Sequence, residues 1–271
     1  MFAFAGLRIG LRYCGPDVAA AVRDVFGHLK VEEETSDFTF DITPAGGKYR
    51  LVGPDGSDHV LADSAAVAVW LKTEILDAIL RHSSGTFAIH AAALESPKGT
   101  VLLVGPSGCG KTTIAALLNA HGWPCIADDV VLIDSRPRQI RGLPLAYAVK
   151  PGSWPVIASA RPSLDGLQSY QRPDARTVKY LCPASIAADG GPLAAAILFP
   201  RFAEGASTTI SPVSHVDALV AILGEARNTS QYLTTEAFLA MATIVRLAAV
   251  RELSFGRADE ASAMLLQHDA F

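Results

Sequence analysis

One short segment constrains this chain more than any other: residues 105–112 read Gly-Pro-Ser-Gly-Cys-Gly-Lys-Thr. An apolar run at 100–104 precedes it and predicts a short buried strand, and the pattern after it predicts a helix from Lys111 to about Ala120. A glycine, four residues and then Gly-Lys-Thr between a strand and a helix is the P-loop pattern. We therefore expect a loop whose backbone N–H groups surround a bound polyphosphate.

The residue types in this loop fit that chemistry. Glycines at 105, 108 and 110 allow backbone conformations that other residues avoid, and the helix N-terminus adds partial positive charge. Lys111 is expected to reach the β- and γ-phosphates, Thr112 to ligate Mg²⁺, and Thr113 to lie in the helix near the phosphates. The predicted ligands are ATP or GTP with Mg²⁺, and the predicted nucleotide-binding residues of the loop are Gly105, Ser107, Gly108, Cys109, Gly110, Lys111, Thr112 and Thr113.

Two adjacent acids, Asp128 and Asp129, directly follow a predicted strand at 124–127. A strand end favours a single turn-forming Asp, so the pair indicates a function. We expect one acid to hold Mg²⁺, with Thr112 and Asp128 as the metal candidates, and the other to accept the proton of an attacking hydroxyl. His90 ends the strand-like run 86–89, and its position alone favours a structural role.

Composition excludes several classes of protein. The chain has 271 residues, of which 50% are hydrophobic and 18% charged, which argues for a folded core and against disorder. Its net charge is −4 and it has no basic stripe, so we expect no nucleic-acid partner. No apolar run is long enough to span a membrane and the first residues do not resemble a signal peptide, which predicts a cytoplasmic protein. Its four cysteines form no C-x-x-C pair, so neither disulfides nor a zinc site is expected.

The pattern along the chain predicts an α/β fold with a P-loop-containing central sheet flanked by helices. We expect a small N-terminal α/β lobe at 1–84, built from a strand, a helix that opens at Pro16, a hairpin around residues 44–47 and a helix from Ser64 to about Arg81. Residues 85–271 are expected to form the catalytic domain. Within it we predict one strand at 86–94, a mobile loop at 161–180, a strand at 194–199 and a long helix from Glu236 to Glu252.

These elements together resemble the catalytic domain of the HPr kinase/phosphorylase family. That family has a histidine before the P-loop strand, then Gly-Pro-Ser-Gly-x-Gly-Lys-Ser/Thr, then Ala-Asp-Asp, matched here by His90, residues 105–112 and residues 127–129. Residues 138–145, Arg-Gln-Ile-Arg-Gly-Leu-Pro-Leu, are similar to a further family signature, with Gln139 and Pro144 as departures from it. The resemblance covers about residues 87–145.

The resemblance implies a fold like that of HPr kinases and carboxykinases and assigns roles to the matched residues. Lys111 would contact the phosphates, Thr112 the metal, and Asp128 and Asp129 would divide the base and metal duties. His90 would lie beside the reacting oxygen and Arg141 near the site. The implied catalytic residues are therefore Asp129, Asp128, His90 and Lys111, and Arg141 joins the nucleotide-binding set.

Within this family the chain looks more like the shorter kinases that phosphorylate a serine of lasso-peptide precursors. The expected activity is transfer of the γ-phosphoryl group to a serine hydroxyl of a peptide or protein, by an enzyme that could form homo-oligomers. Arg161, Arg172, Arg176 and Lys179 in the predicted loop could steer an acidic peptide. Two alternatives stay open: a nucleotide-binding regulatory module with slow hydrolysis, and a phosphotransferase that acts on another protein or a small molecule.

Overall fold

The computed structural model describes residues 1–4, 7–29, 35–82, 86–134, 139–187, 194–227 and 234–267. None of the helices in these ranges is both long enough and apolar enough to cross a membrane.

The described residues form strands and helices that are intermixed along the chain. The strands are β1 Phe2–Phe4, β2 Leu7–Tyr13, β3 Phe38–Ala45, β4 Lys48–Val52, β5 Asp58–Leu61, β6 Thr86–Ile89, β7 Ala91–Ser96, β8 Gly99–Val104, β9 Cys125–Ala127, β10 Val131–Asp134, β11 Ile140–Gly142, β12 Tyr147–Val149, β13 Ser169–Gln171, β14 Thr177–Leu181, β15 Ala194–Phe202, β16 Thr209–Pro212 and β17 Ala249–Phe255. The helices are α1 Pro16–Phe26, α2 Ser64–His82, α3 Lys111–Ala120, α4 Trp154–Ala160, α5 His215–Gly224, α6 Thr235–Leu247 and α7 Ala258–Gln267.

The chain divides into two compact units that are not continuous in sequence. The first unit comprises residues 1–82, 145–152 and 163–182, and the second comprises residues 83–144, 153–162 and 183–271. The candidate catalytic, nucleotide-binding and metal residues named from the sequence all belong to the second unit.

The first unit has a five-stranded sheet in the order β1-β2-β3-β4-β5 and a three-stranded sheet in the order β12-β14-β13. Strands β2 and β3 are parallel, and α1 connects them as a crossover helix. Its core combines apolar residues of α1 and α2 with residues of both sheets: Val18, Val25, Phe40, Leu51, Leu71, Ile75, Tyr170 and Val178.

The second unit is organised by a six-stranded sheet in the order β16-β17-β15-β8-β7-β9. Strands β17, β15 and β8 are mutually parallel, while β7 runs antiparallel to both of its neighbours, β8 and β9. Residues 101–104 of β8 have no exposed surface, so β8 is covered on both faces. Helix α3 packs against β7, β8 and α7, and α6 packs against β15 and β10.

A second sheet of this unit has the order β11-β10-β6, with both pairings antiparallel. Since β9 leads into β10 and β6 leads into β7, the two sheets are joined by two short connections. These connections carry His90 and the pair Asp128–Asp129.

The mixed α/β class is confirmed, with several sheets flanked by helices. The helices predicted to begin at Pro16, Ser64 and Lys111 begin at those residues. Asp63 caps α2, because its carboxylate accepts a hydrogen bond of 2.7 Å from the backbone N–H of Ala66.

Three predictions were wrong. Residues 86–94 form two strands rather than one, because His90 breaks the run between β6 and β7. Residues 161–180 are not a mobile loop: β13 and β14 form a hairpin there, and Tyr170 and Val178 are buried. The helix predicted over 236–252 ends at Leu247, because residues 249–255 pair with β15 as a parallel strand.

The hairpin also gives local contacts to basic residues that were expected to steer a peptide. Lys179 Nζ donates to the carbonyl oxygens of Leu164 and Asp165, both at 3.0 Å. Arg172 and Arg176 both lie within 4 Å of the carboxylate of Asp174, at 3.6 Å and 3.7 Å. These contacts give three of the four cations a local partner within the hairpin region.

Candidate active site

Three chain segments meet at one edge of the six-stranded sheet. The register pairs Ala91 with Val104 and Ala93 with Ala127, so β7 begins where β8 and β9 end. His90 directly precedes β7, Gly105 directly follows β8 and Asp128 directly follows β9. The sheet topology therefore brings together a histidine, the glycine-rich loop and two acids that are up to 39 residues apart in sequence.

The loop between β8 and α3 depends on glycine. Gly105, Gly108 and Gly110 have φ values of 149°, 96° and 104°, which other L-residues rarely adopt. Gly110 has a second constraint, because a Cβ atom there would lie 2.6 Å from Cζ of Phe255 at the end of β17. Among the described residues, no side chain caps the helix that follows, so the N–H groups of its first turn are available to an anion.

Lys111 is almost completely buried and its ammonium group lies inside the loop. Nζ donates to the carbonyl oxygen of Gly105 at 2.5 Å and to that of Pro106 at 3.1 Å. Both acceptors are neutral, so the charge of the ammonium is not balanced by these two contacts. The loop therefore concentrates positive charge from a lysine and from a helix N-terminus at one point.

The other loop residues take different positions. Ser107 and Gly108 lie at the exposed tip, while the Cys109 thiol folds back, with Sγ 4.0 Å from Lys111 Nζ. The Thr113 hydroxyl contacts the hydroxyl of Ser153 at 2.7 Å and so connects α3 to the residue that precedes α4.

Thr112 and Asp128 face each other across the site. The Thr112 hydroxyl lies 3.3 Å and 3.4 Å from the two carboxylate oxygens of Asp128, which is 1% exposed. These distances are longer than the usual 2.5–3.0 Å of a hydroxyl hydrogen bond, so the contact is loose.

A hydroxyl and a carboxylate are hard oxygen donors, the type that Mg²⁺ prefers, so the residues present fit a magnesium site. The described residues contain no cluster of three His, Cys, Asp or Glu side chains that could hold a metal ion, so phosphate oxygens and water would have to complete the coordination.

Asp129 has an unusual backbone conformation. Its φ is 78°, in the left-handed region, which only one other described non-glycine residue, Ala175, adopts. Asp tolerates this region better than most residues, at a cost of about 1 kcal/mol. Asp129 lies in the connection between β9 and β10, where its side chain is half-buried and its charge acts on His90.

His90 is held by Glu225 through both backbone and side chain. The backbone N–H of His90 donates to the carbonyl oxygen of Glu225 at 2.8 Å, and Nδ1 lies 2.9 Å from Oε2 of the carboxylate. Burial lowers the pKa of the His90 ring, and the nearby ammonium of Lys111 lowers it further. The hydrogen bond to Glu225 opposes this change only in part, so the pKa of the ring stays below the ordinary histidine value, which favours the neutral ring.

Arg141 lies on β11, opposite Leu132 of β10. Its guanidinium forms a two-point ion pair with Asp134, with N–O distances of 2.5 Å and 2.7 Å. The next residue, Gly142, packs so closely on the residue before Asp128 that a Cβ there would lie 2.1 Å from Cβ of Ala127. The 140–142 segment thus supports the position of the acids through its backbone, while its arginine binds Asp134.

Glu225, Arg227 and Phe255 were not identified from the sequence. Glu225 and Arg227 belong to a short segment that pairs with residues 88–90: the Arg227 N–H donates to the Ala88 carbonyl oxygen at 2.9 Å, and the guanidinium charge of Arg227 lowers the pKa of His90. The sequence signal for them is weak, because 135 residues separate Glu225 from His90. Phe255 ends β17, of which only residues 249–252 fall in the helix that the sequence predicted.

Comparisons with known proteins give limited matches. No protein-family model matches the sequence, and no curated protein matches it. Among solved structures, the chain is similar to an HPr(Ser) kinase/phosphatase from Coxiella burnetii, with 11% sequence identity and a TM-score of 0.29. The match covers 67% of this chain and 95% of that structure. A TM-score this low does not establish a shared fold.

Proposed function

We propose that this protein is a kinase that uses ATP or GTP with Mg²⁺ and transfers the γ-phosphoryl group to a serine hydroxyl of a peptide or protein. The observation that carries the proposal is the convergence at one sheet edge of the Lys111 loop, the Thr112–Asp128 pair, and the neighbouring Asp129 and His90. A nucleotide-binding loop alone would support many functions. Acids and a neutral histidine beside it add the groups that a hydroxyl needs in order to attack a phosphate.

Each residue has a role in this proposal. The N–H groups at the start of α3 and the ammonium of Lys111 bind the phosphates, so Lys111 exchanges its contacts with the Gly105 and Pro106 carbonyls for contacts with the nucleotide. Asp129 and His90 are the groups proposed to take the proton of the acceptor hydroxyl. Thr112 and Asp128 hold Mg²⁺, which when bound neutralises negative charge on the phosphate oxygens.

The finer proposal is that the acceptor is a serine of a lasso-peptide precursor. Its support is the order of sequence elements: a histidine before the P-loop strand, the loop itself, Ala-Asp-Asp, and the segment at 138–145. These elements resemble the HPr kinase/phosphorylase family, and the segment at 197–202 with the helical section after it suits the shorter peptide serine kinases that are similar to that family. We also propose that residues 85–271 carry the catalytic site.

The test is a phosphotransfer assay with γ-labelled ATP, MgCl₂ and a panel of acceptors: lasso-precursor peptides, serine-containing proteins such as HPr, and free serine. Label that appears on a peptide serine, and disappears when that serine is changed to alanine, supports the proposal. The Lys111→Ala variant should show no transfer, which excludes a contaminating kinase.

Other outcomes identify the alternatives. Label on a protein such as HPr but not on the peptides contradicts the peptide proposal and leaves a protein kinase. Label on free serine indicates a small-molecule phosphotransferase. Slow release of inorganic phosphate without any labelled acceptor, at a rate that the Lys111→Ala variant lacks, indicates a nucleotide-binding regulatory module.

A further inference from the structure

We propose that Glu225 is a positioning residue of this site: it accepts the Nδ1 proton of His90 and thereby makes Nε2 the ring nitrogen that receives the proton of the acceptor hydroxyl. The inference rests on the phosphotransfer function proposed above. It adds the residue that orients the histidine and the atom that takes the proton.

The contacts between Glu225 and His90 determine which ring nitrogen carries the proton. Glu225 holds residue 90 at two points, through the backbone hydrogen bond of 2.8 Å and the side-chain contact of 2.9 Å at Nδ1. An ionised carboxylate only accepts hydrogen bonds, so a neutral His90 must carry its proton on Nδ1. Nε2 then has a free lone pair and can act only as an acceptor.

The position of Glu225 is energetically unfavourable for an acid. Glu225 is the C-cap of α5, where the helix dipole is negative and a carboxylate is unfavourable by about 0.3–1 kcal/mol. Only 15% of its side chain is exposed. Neither helix stability nor solubility accounts for a buried acid here, whereas the contact with His90 does.

Charged groups around the His90 ring act on it in both directions. Lys111 and Arg227 act against a positive charge on His90, while Glu225 and Asp129 favour it. Phosphates bound to Lys111 would offset part of its charge. The two carboxylates then stabilise the imidazolium that forms when the ring accepts a proton, as a carboxylate does in a histidine-based catalytic pair.

The O–H proton of the acceptor serine moves to Nε2 of His90 as its oxygen forms a bond to the γ-phosphorus. The bond between that phosphorus and the bridging β-γ oxygen breaks, and its electron pair leaves with the nucleoside diphosphate. The imidazolium later releases its proton to solvent.

The first experiment reads the tautomer without any activity. Two-dimensional ¹H–¹⁵N spectra of the histidine rings, recorded at alkaline pH where imidazoles are neutral, distinguish Nδ1–H from Nε2–H. We expect Nδ1–H for His90. His59 provides an internal reference, because it contacts Glu74 through the opposite nitrogen, Nε2, at 2.9 Å. A spectrum with His90 as the Nε2–H form overturns the proposal.

The second experiment uses two variants of Glu225. Glu225→Ala removes the acceptor, so we expect mixed tautomers at His90 and a kcat lowered about ten- to a hundred-fold, with the KM for nucleotide unchanged. Glu225→Gln keeps an acceptor oxygen but loses the charge, so it should keep the tautomer and recover part of the lost kcat. Because Gln preserves the shape and the contact, it also gives a result if the Ala variant does not fold. Glu74→Gln is the matched control, since it alters the other His–Glu pair and should leave the His90 signals and kcat unchanged.

The outcomes separate this inference from the proposed function. Active wild-type protein whose kcat is unchanged in both Glu225 variants overturns the positioning role. If wild-type protein shows the Nδ1–H tautomer but transfers phosphate to none of the acceptors, the proposed function fails. The role of Glu225 in catalysis then fails with it. Loss of nucleotide affinity, rather than of kcat, in Glu225→Gln also contradicts the proposal.

Discussion

Lys111 makes the most direct prediction at the scale of a residue. Its ammonium is buried against two neutral carbonyl oxygens, so a polyphosphate can take over its contacts. A hydrogen bond to a charged group contributes about 1.5–3 kcal/mol, so Lys111→Ala should weaken nucleotide binding about ten- to a hundred-fold. Titration with a fluorescent ATP analogue measures this. Lys48→Ala, at an exposed lysine of β4, is the control, and equal affinity of the two variants would contradict the assignment.

Substitution of Asp128 or Asp129 should lower the rate of phosphotransfer much more than the affinity for nucleotide. Asp128→Asn and Asp129→Asn each remove a charge but keep the side-chain volume, so the loop and Lys111 should still bind nucleotide. We expect phosphotransfer to fall by about two to four orders of magnitude in both variants, while nucleotide affinity changes far less. Single-turnover rates and binding titrations on the same preparations provide the two readouts. Full transfer by both variants would show that neither acid has the proposed role.

The lowered pKa of His90 also predicts how stability depends on pH. The folded state lowers the pKa, chiefly through burial and then through Lys111, so below the ordinary His pKa of about 6.5 the unfolded chain binds more protons at this position. The stability that His90 contributes is therefore present above that pH and is lost as the pH falls through the lowered value. His90→Gln should flatten this part of the curve of unfolding free energy against pH, measured by urea denaturation. His215→Gln, at an exposed histidine, is the control for loss of a histidine.

At the scale of elements, the glycines of the loop give a matched pair. Gly110→Ala places a methyl group against Phe255 in a backbone conformation that alanine disfavours, whereas Gly108→Ala has similar strain but no atom within 4 Å. Both should lose about 1–2 kcal/mol from the left-handed conformation, and Gly110→Ala should lose more through the clash. Thermal unfolding compares them. A Phe255→Leu change should recover part of the difference in Gly110→Ala and none in Gly108→Ala.

The elements around the site show what sequence reasoning could and could not predict. The strand, loop and helix at 99–120 were predictable because local rules act together there: a short apolar run, glycines and a helical pattern. The division of residues 86–94 into two strands was predicted only in part: His90 was placed at the end of the run 86–89, but the break also depends on pairing with β10 and with Glu225, which local sequence does not show. The β17 strand was missed for a similar reason: its apolar residues continue the pattern of α6, and only pairing with β15 and β16 makes it a strand.

Tertiary pairing also explains the hairpin formed by β13 and β14. Arg, Pro and Ser between residues 161 and 180 indicate a loop by composition. The two tyrosines Tyr170 and Tyr180, however, pack against each other with ring centroids 5.1 Å apart, and the Tyr170 hydroxyl donates to Asp24 of α1 at 2.7 Å. Asp24 is 146 residues from Tyr170, so the composition of residues 161–180 gives no sign of this hydrogen bond. The catalytic roles named from the sequence remain predictions for the variants above to test.

At the scale of the whole molecule, the composition of the two units predicts which fragments of the chain can fold. The first unit is not encoded by residues 1–84 alone, because β12, β13 and β14 belong to it and are supplied by residues 147–181. Helix α1 packs against β14, and α2 packs against β13. Removal of these strands would expose apolar surface of both helices to water and leave Asp24 without the tyrosine hydroxyl.

A fragment of residues 1–84 should therefore lack a cooperative unfolding transition, even though it contains a complete five-stranded sheet and two helices. Far-UV circular dichroism during urea titration measures this, with the full chain as reference. A peptide of residues 145–182, added in trans, should restore a transition, because it supplies Tyr170, Val178 and Tyr180, which are at most 3% exposed in the intact chain. A Tyr170→Ser version of the peptide is the matched control and should restore it poorly, since it loses both the buried ring and the bond to Asp24. Cooperative unfolding of the 1–84 fragment alone would show that the N-terminal segment is an independent domain, and that the later strands only cover a core that is already stable.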